Sequence, residues 1–221
     1  MTISSGKLDI PAGLIEDTPE HTITTLSNCF NNDAFQRYLV FDHLGIPESE
    51  TLVTSMNKRA FGEFIPAIMA DGGVLVTLPG SAITSVWKLE TFTGEMEGPD
   101  EHAPRVLRQL EGLFTKARAH VITPPRKVLH LLLVANDRAT LSGDGSKPSI
   151  GAVVKPMLAM AKERGWLACL EATSARARDV YKYYGFEVIE EVHVGKGEVD
   201  SRGHRVEGGE GVSMWAMVYR I

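Results

Sequence analysis

LEATSARARDVYKYYGFEVIEEVHVGKG, residues 170–197, passes from the end of an apolar run through a helical stretch into a second apolar run. Its first residues close WLACLEA (166–172), a segment of strand length that suits burial on both faces of a sheet. Ser174 stands where a hydroxyl accepts from the free N–H groups of a helix start, and ARARDVYKYY follows as that helix. Gly185 supplies the left-handed stop, and Phe186 folds back as the apolar cap contact. FEVIEEVHV (186–194) then reads as a strand. Strand, helix and strand in so short a stretch require a sheet with helices on its faces.

Upstream, KVLHLLLVA (127–135) is a second buried strand, and the loop GDGSKPSIGAVVKP (143–156) leads from it into a helix reaching Gly165. That helix keeps Ile150, Val153, Val154, Met157, Leu158 and Ala161 on one face and runs through Pro156, whose lost bond packing has to offset. Residues 104–119 form an amphipathic helix, and VLVTL (74–78) with AITSVWKLETF (82–92) forms a hairpin about Pro79-Gly80-Ser81. A long helix is expected over 49–69, with Pro66 perturbing its last turn and Asp71-Gly72-Gly73 ending it. Nearer the start, Thr18 caps a helix with Pro19 at its first position, and Asp33 caps a second bearing Phe35, Tyr38, Leu39 and Phe41. VSMWAMVYRI (212–221) is the last strand, after a Gly- and charge-rich connection over 195–211. The order predicts one α/β domain over 1–221 built on a mixed sheet, with a helical segment at 18–72.

The totals exclude several classes of function. With 221 residues, 43% hydrophobic and 23% charged, the chain has an ordinary globular composition. Its net charge of -5 and pI near 5.8 argue against a nucleic-acid or anionic-membrane partner. No apolar run reaches the ~18 residues of a membrane helix. The first residues lack a basic and then apolar leader, so a cytoplasmic location is expected. Cys29 and Cys169 lie in apolar patterns and are expected as buried free thiols. The seven histidines show no H-x-H or H-E-x-x-H spacing, so no metal is expected.

The 143–156 loop poses a phosphate question. It fails the G-x-x-x-x-G-K-[ST] pattern, because Ser146 precedes Lys147 and Pro148 follows it, and it fails G-x-G-x-x-G at Pro148. A strand, a glycine-containing loop and a helix start with Lys147 nearby remain, which suits either an anion site or a plain solvated loop.

Leu170, Glu171, Ala172, Thr173, Ser174, Arg178, Asp179, Tyr181, Gly185 and Phe186, followed by Trp215 and Met217, resemble the C-terminal half of the GNAT superfamily of acyl-CoA-dependent N-acetyltransferases. The resemblance covers 127–221 and implies a mostly antiparallel, twisted α+β sheet flanked by helices. It further implies that the strands near 127–135 and 166–172 splay apart to take the pantetheine of acetyl-CoA, bonded by Leu133, Val134 and Ala135. The pyrophosphate would fall on Lys147, Ser149, Ile150, Gly151 and Ala152, with Ser174 and Arg178 assisting and Arg176 nearby. Here the sequence departs from the family's Q/R-x-x-G-x-G/A, with Lys147 first, Ile150 in place of glycine, Gly151 one position late and a longer lead from Asn136.

The same resemblance makes Tyr181 the acid that protonates the departing thiolate, its alternative being a packing role shared with Tyr183 and Tyr184. Glu171 is the candidate base for the acceptor ammonium, alternatively the partner of an arginine, and Glu90 is a second candidate. His130 reads as a satisfied core histidine. The 195–211 connection reads as a solvated excursion, a cover for the acceptor or a subunit contact. Phe35, Tyr38 and Trp87 are expected to wall the acceptor pocket. The implied activity is acetyl transfer to a primary amine of a small molecule, by a monomer or homodimer. Loss of that catalysis in favour of binding or another reaction is the alternative.

Overall fold

The computed structural model describes residues 8–45, 53–95, 104–139 and 148–220, so Lys147 and the N-terminal part of the 49–69 prediction lie outside the described residues. Strand β1 (Ile15–Glu16) leads into helices α1 (Pro19–Cys29), α2 (Ala34–Leu44) and α3 (Thr54–Ala70). Strands β2 (Val74–Thr77) and β3 (Ile83–Phe92) form the hairpin, and α4 (Arg105–Ala119) precedes β4 (Arg126–Asn136). Then come α5 (Gly151–Glu163), β5 (Leu167–Ala172), α6 (Ala175–Tyr183), β6 (Glu187–Val194) and β7 (Val212–Tyr219).

Local chemistry explains most boundaries. Thr18 Oγ1 accepts from His21 N at 3.2 Å, with Pro19 opening α1. Asp33 Oδ1 accepts from Gln36 N at 2.8 Å to start α2, and Ser174 Oγ accepts from Ala177 N at 3.1 Å to start α6. Gly185, at φ 94°, ends α6, and the Phe186 N–H reaches back to the Tyr181 carbonyl at 3.1 Å. β1, only two residues long, falls below any periodicity signal and owes its place to pairing with β2.

The sheet order is β1-β2-β3-β4-β5-β7-β6. Among the described residues every strand pairing is antiparallel except β4 with β5, the one that needs a crossover helix, here α5. β4 and β5 share only four register pairs, from Val128↔Leu167 to Leu131↔Leu170. Beyond Leu131 the two strands part. There the β3–β4 register slips, since Val86 faces Leu133 and Trp87 faces Leu131. Leu132 is the extra residue of a bulge, and Leu132 and Leu133 both pack toward the cluster of Leu26, Phe61 and Ile65 under α1 and α3.

One face of the sheet carries α5, with Val153, Val154, Met157 and Leu158 against Leu129, Leu131, Leu170 and Ala172. The other carries α1 and α3 over β2 to β4, and α2 and α4 over β6 and β7. Trp87 points to the α5 side, fully buried, whereas Phe35 and Tyr38 belong to the core under α2 and α4. The three residues expected to wall one pocket therefore lie in the cores of opposite faces. Cys29, expected buried, is exposed, while Cys169 is buried. The 195–211 connection is docked rather than a free excursion: Tyr38 Oη donates to Glu198 Oε2 at 2.9 Å, and Arg105 donates to both Glu198 and Asp42. No helix among the described residues is long and apolar enough to cross a membrane.

Candidate active site at the fork of β4 and β5

Past Leu131 and Leu170 the facing edges of β4 and β5 have no strand partner in each other. Leu133, Val134 and Ala135 lie on the β4 side of this opening, still paired to β3 on their other edge. Ala172 ends the β5 side, paired to Trp215 of β7. An opening lined by main-chain donors and acceptors suits an extended, amide-bearing ligand.

Strand alternation assigns the two sequence-predicted catalytic residues to opposite faces. Leu170 and Ala172 look toward α5, and Tyr181 of α6 packs against that same cluster, edge-on to Phe186 at 5.9 Å. Glu171 looks the other way, toward α4. The Tyr181 hydroxyl has no hydrogen-bond partner among the described residues, and burial pushes its pKa up, so the phenol keeps its proton.

Glu171 sits in a buried charge network. Arg118, from the last turn of α4, donates to Glu171 Oε1. His130 Nε2 stands 2.7 Å from Glu171 Oε2 and 3.1 Å from an Arg118 nitrogen. On its other side, His130 Nδ1 stands 3.4 Å from Glu90 Oε1, and Lys88 lies 3.9 Å from the same oxygen while pairing with Asp71. Burial alone would raise the Glu171 carboxyl, but the cations of His130 and Arg118 override it and hold it down at about 2. The His130 pKa is raised, because Glu171 and Glu90 outweigh burial and Arg118. Arg118 Nε is buried without a hydrogen-bond partner among the described residues.

The anion-loop residues are partly engaged already. Asn136 Nδ2 donates to the Pro148 carbonyl at 2.9 Å, tying the loop's end to β4. No side chain among the described residues caps α5. The Ala152 N–H is bonded to the Ser149 carbonyl at 2.9 Å, and Ile150 is already helical at φ -55°. A Cβ on Gly151 would stand 2.9 Å from Tyr184 Oη, so that ring fills the space beside it. Ser174's hydroxyl is used as the α6 cap, and Arg178 pairs with Asp179 at 2.9 Å while lying 5.0 Å over the Trp215 ring. Among the described residues no group of three His, Cys, Asp or Glu side chains is placed to hold a metal ion.

The end of α1 and the cap of α2 span the mouth of the fork. Asn28 Nδ2 donates to Asp137 Oδ2, just past β4, at 2.7 Å, and Thr173 Oγ1, just past β5, donates to Asp33 Oδ2 at 2.5 Å. Sequence reading placed Asp33 as a cap and not at the site. Arg118 had no sequence signal beyond a basic residue near a helix end, which is common. The usable clue to His130 was polar character in an otherwise apolar strand.

No family model matches the chain. It is 32% identical over 203 residues to the Saccharomyces cerevisiae protein named "Uncharacterized protein YDR391C", covering 88% of this chain and 81% of that one. A second S. cerevisiae protein, "Putative increased recombination centers protein 11", is 36% identical over 80 residues, 34% of this chain, and the match spans 51% of its length, about half. In structure the chain is similar to arylalkylamine N-acetyltransferase 2 from Aedes aegypti, with TM-score 0.58 and 13% identity over 94% of this chain and 98% of that one. It is similar also to Drosophila melanogaster polyamine N-acetyltransferase, which catalyses formation of N-acetylagmatine, with TM-score 0.54 and 13% identity over 94% and 99%. The C-terminal condensation domain of Ebony, in complex with β-alanyl-dopamine, gives TM-score 0.53 and 14% identity over 94% and 98%. At these identities the likeness establishes the fold, an α/β GNAT fold with a mostly antiparallel open sheet.

Proposed function

The chain belongs to the family of the S. cerevisiae protein YDR391C and has the GNAT fold, and from that premise we propose that it transfers an acetyl group from acetyl-CoA to a primary amine of a small molecule. The observation that carries the reading is the fork, with a protonated phenol on one face and a carboxylate–imidazole pair on the other. Acetyl-CoA supplies an acetyl group activated as a thioester. In the proposal, Leu133, Val134 and Ala135 bond its pantetheine arm, while the start of α5 from Ser149 to Ala152, with Lys147, Ser174 and Arg178, faces its phosphates.

Tyr181 serves as the proton donor to the departing thiolate, since its phenol is protonated and has no competing partner among the described residues. An ammonium has no lone pair for direct attack, so the acceptor side has to take a proton. Glu171 alone is a weak base, being held at about 2, and in this reading it acts together with His130.

A second reading, a GNAT fold serving in binding or in another reaction, is favoured by the first turn of α5, where Tyr184 crowds Gly151 and the Ala152 amide is spent. Calorimetric titration with acetyl-CoA, with CoA as control, separates the two. Micromolar binding, followed by acetylated product from a panel of arylalkylamines, agmatine and polyamines, supports the transferase. No binding at millimolar concentration overturns it.

A further inference from the structure

Acetylation of an ammonium by a thioester releases a proton. A C–N bond forms and a C–S bond breaks, the nitrogen gives up two protons, and the thiolate takes one. The other has to leave the protein in every turnover. At the fork the acceptor-side groups are buried, with side-chain exposures of 12% at Glu171, 8% at His130 and 11% at Arg118. Outward along β3 the exposure rises to 28% at Glu90 and 25% at Lys88, and Asp71, at the end of α3, stands at 74%. The titratable chain thus runs from the fork to the surface without leaving contact distance at any step.

We propose that Glu171, His130 and Glu90 form a proton relay from the fork to solvent, with Arg118 as the positioning residue for Glu171; the proposal rests on the acetyltransferase reading. His130 uses its two nitrogens on two different carboxylates, Nε2 toward Glu171 and Nδ1 toward Glu90. From the imidazolium, the Nδ1 proton passes to Glu90 and from there to water; rotation of the ring then turns the bare nitrogen toward Glu171, where it takes the proton drawn from the acceptor and restores the imidazolium. The imidazole returns to its starting charge, and no oxidant or further reactant is consumed. The groups facing His130 are Glu90 and, through it, Lys88 from β3, Arg118 from α4, and Glu171 and Cys169 from β5. Those carboxylates raise the imidazole pKa, and the surrounding cations lower that of Glu90.

A merely structural ion cluster would hold α4 on the sheet equally well, so the test has to read proton movement. The full-length Glu90→Gln variant is compared with the wild type in two ways. In ligand-free protein, 15N shifts of the His130 imidazole are followed against pH. With acetyl-CoA and an active amine, kcat is followed against pH and against formate concentration. The relay predicts a lower His130 pKa in Glu90→Gln, with kcat down by roughly tenfold in dilute buffer and recovered by added formate. An unchanged imidazole titration overturns the relay. So does a lowered kcat that formate does not restore while the melting temperature stays at the wild-type value. If the wild type acetylates no amine, the transferase reading falls, and the imidazole titration still decides whether Glu90 and His130 exchange protons as a coupled pair.

Discussion

Thr173 Oγ1 donates a 2.5 Å hydrogen bond to Asp33 Oδ2, joining the end of β5 to the cap of α2 across 140 residues of sequence. With Asn28 on Asp137 at 2.7 Å, it ties both diverging strands to the end of α1 and the start of α2. Burial raises the Asp33 pKa above its usual 3.8, because desolvation outweighs the hydrogen bonds it accepts. Thr173→Val leaves that buried carboxylate short of a donor and is expected to cost about 1–3 kcal/mol in urea denaturation. The folded state holds the Asp33 proton to higher pH than the unfolded chain does, so stability declines as pH rises above 3.8 toward the folded pKa. Asp33→Asn, which keeps a capping side chain, is expected to flatten that decline in a pH series of urea melts.

Tyr181→Phe separates chemistry from packing. The hydroxyl has no partner among the described residues, and the ring's edge contact with Phe186 survives the change. The melting temperature is therefore expected to hold, as is affinity for acetyl-CoA by calorimetry, while kcat falls by about 10²–10⁴. A variant that loses stability and activity together would assign Tyr181 to packing.

The caps were legible because each is a local event. Thr18, Asp33, Ser174 and Gly185 act within a few residues of themselves, and all four stand where their sequence neighbours place them. The site was legible only in part. Glu171 was visible as a carboxylate at a strand end, but alternation along β5 alone does not say which face holds a cation. Arg118 comes from a helix 53 residues away in sequence, and His130 was read as satisfied without its two carboxylate partners. Non-local charge pairing leaves no periodic trace. The docking of 195–211 on α2 was hidden for the same reason, since it depends on Tyr38 and Arg105 reaching Glu198.

Arg118 holds a buried carboxylate, and its removal is expected to be expensive. Arg118→Ala leaves Glu171 with His130 alone and should destabilise the protein by about 3–5 kcal/mol in chemical denaturation, whereas replacing the pair by apolar residues of similar volume should cost much less. The Glu171 carboxyl is held at about 2 in the fold, against an ordinary 4.5. Its contribution to stability is fully present above 4.5 and lost as pH falls toward 2, so acid unfolding of Glu171→Gln should show a shallower dependence across that window.

Two glycines of the docked loop test whether its seat on α2 is a packed contact. Gly203, at φ 77°, would place a Cβ 2.2 Å from the Ala34 carbonyl oxygen in the first turn of α2, and its own N–H bonds to the Asp200 carbonyl at 3.0 Å. Gly197 has a similar φ of 87° with no atom of the described residues within 4 Å of the same position. Alanine at Gly197 meets only the left-handed backbone cost, about 1–2 kcal/mol. At Gly203 the backbone of α2 has to yield as well, adding about 1–3 kcal/mol. Gly203→Ala is therefore expected to shift the denaturation midpoint further than Gly197→Ala and to speed amide exchange at Val199, Gly203 and Val206. Equal effects of the two changes would mean that the loop's hold on α2 comes from the Tyr38–Glu198–Arg105 bonds and not from the close approach at Ala34.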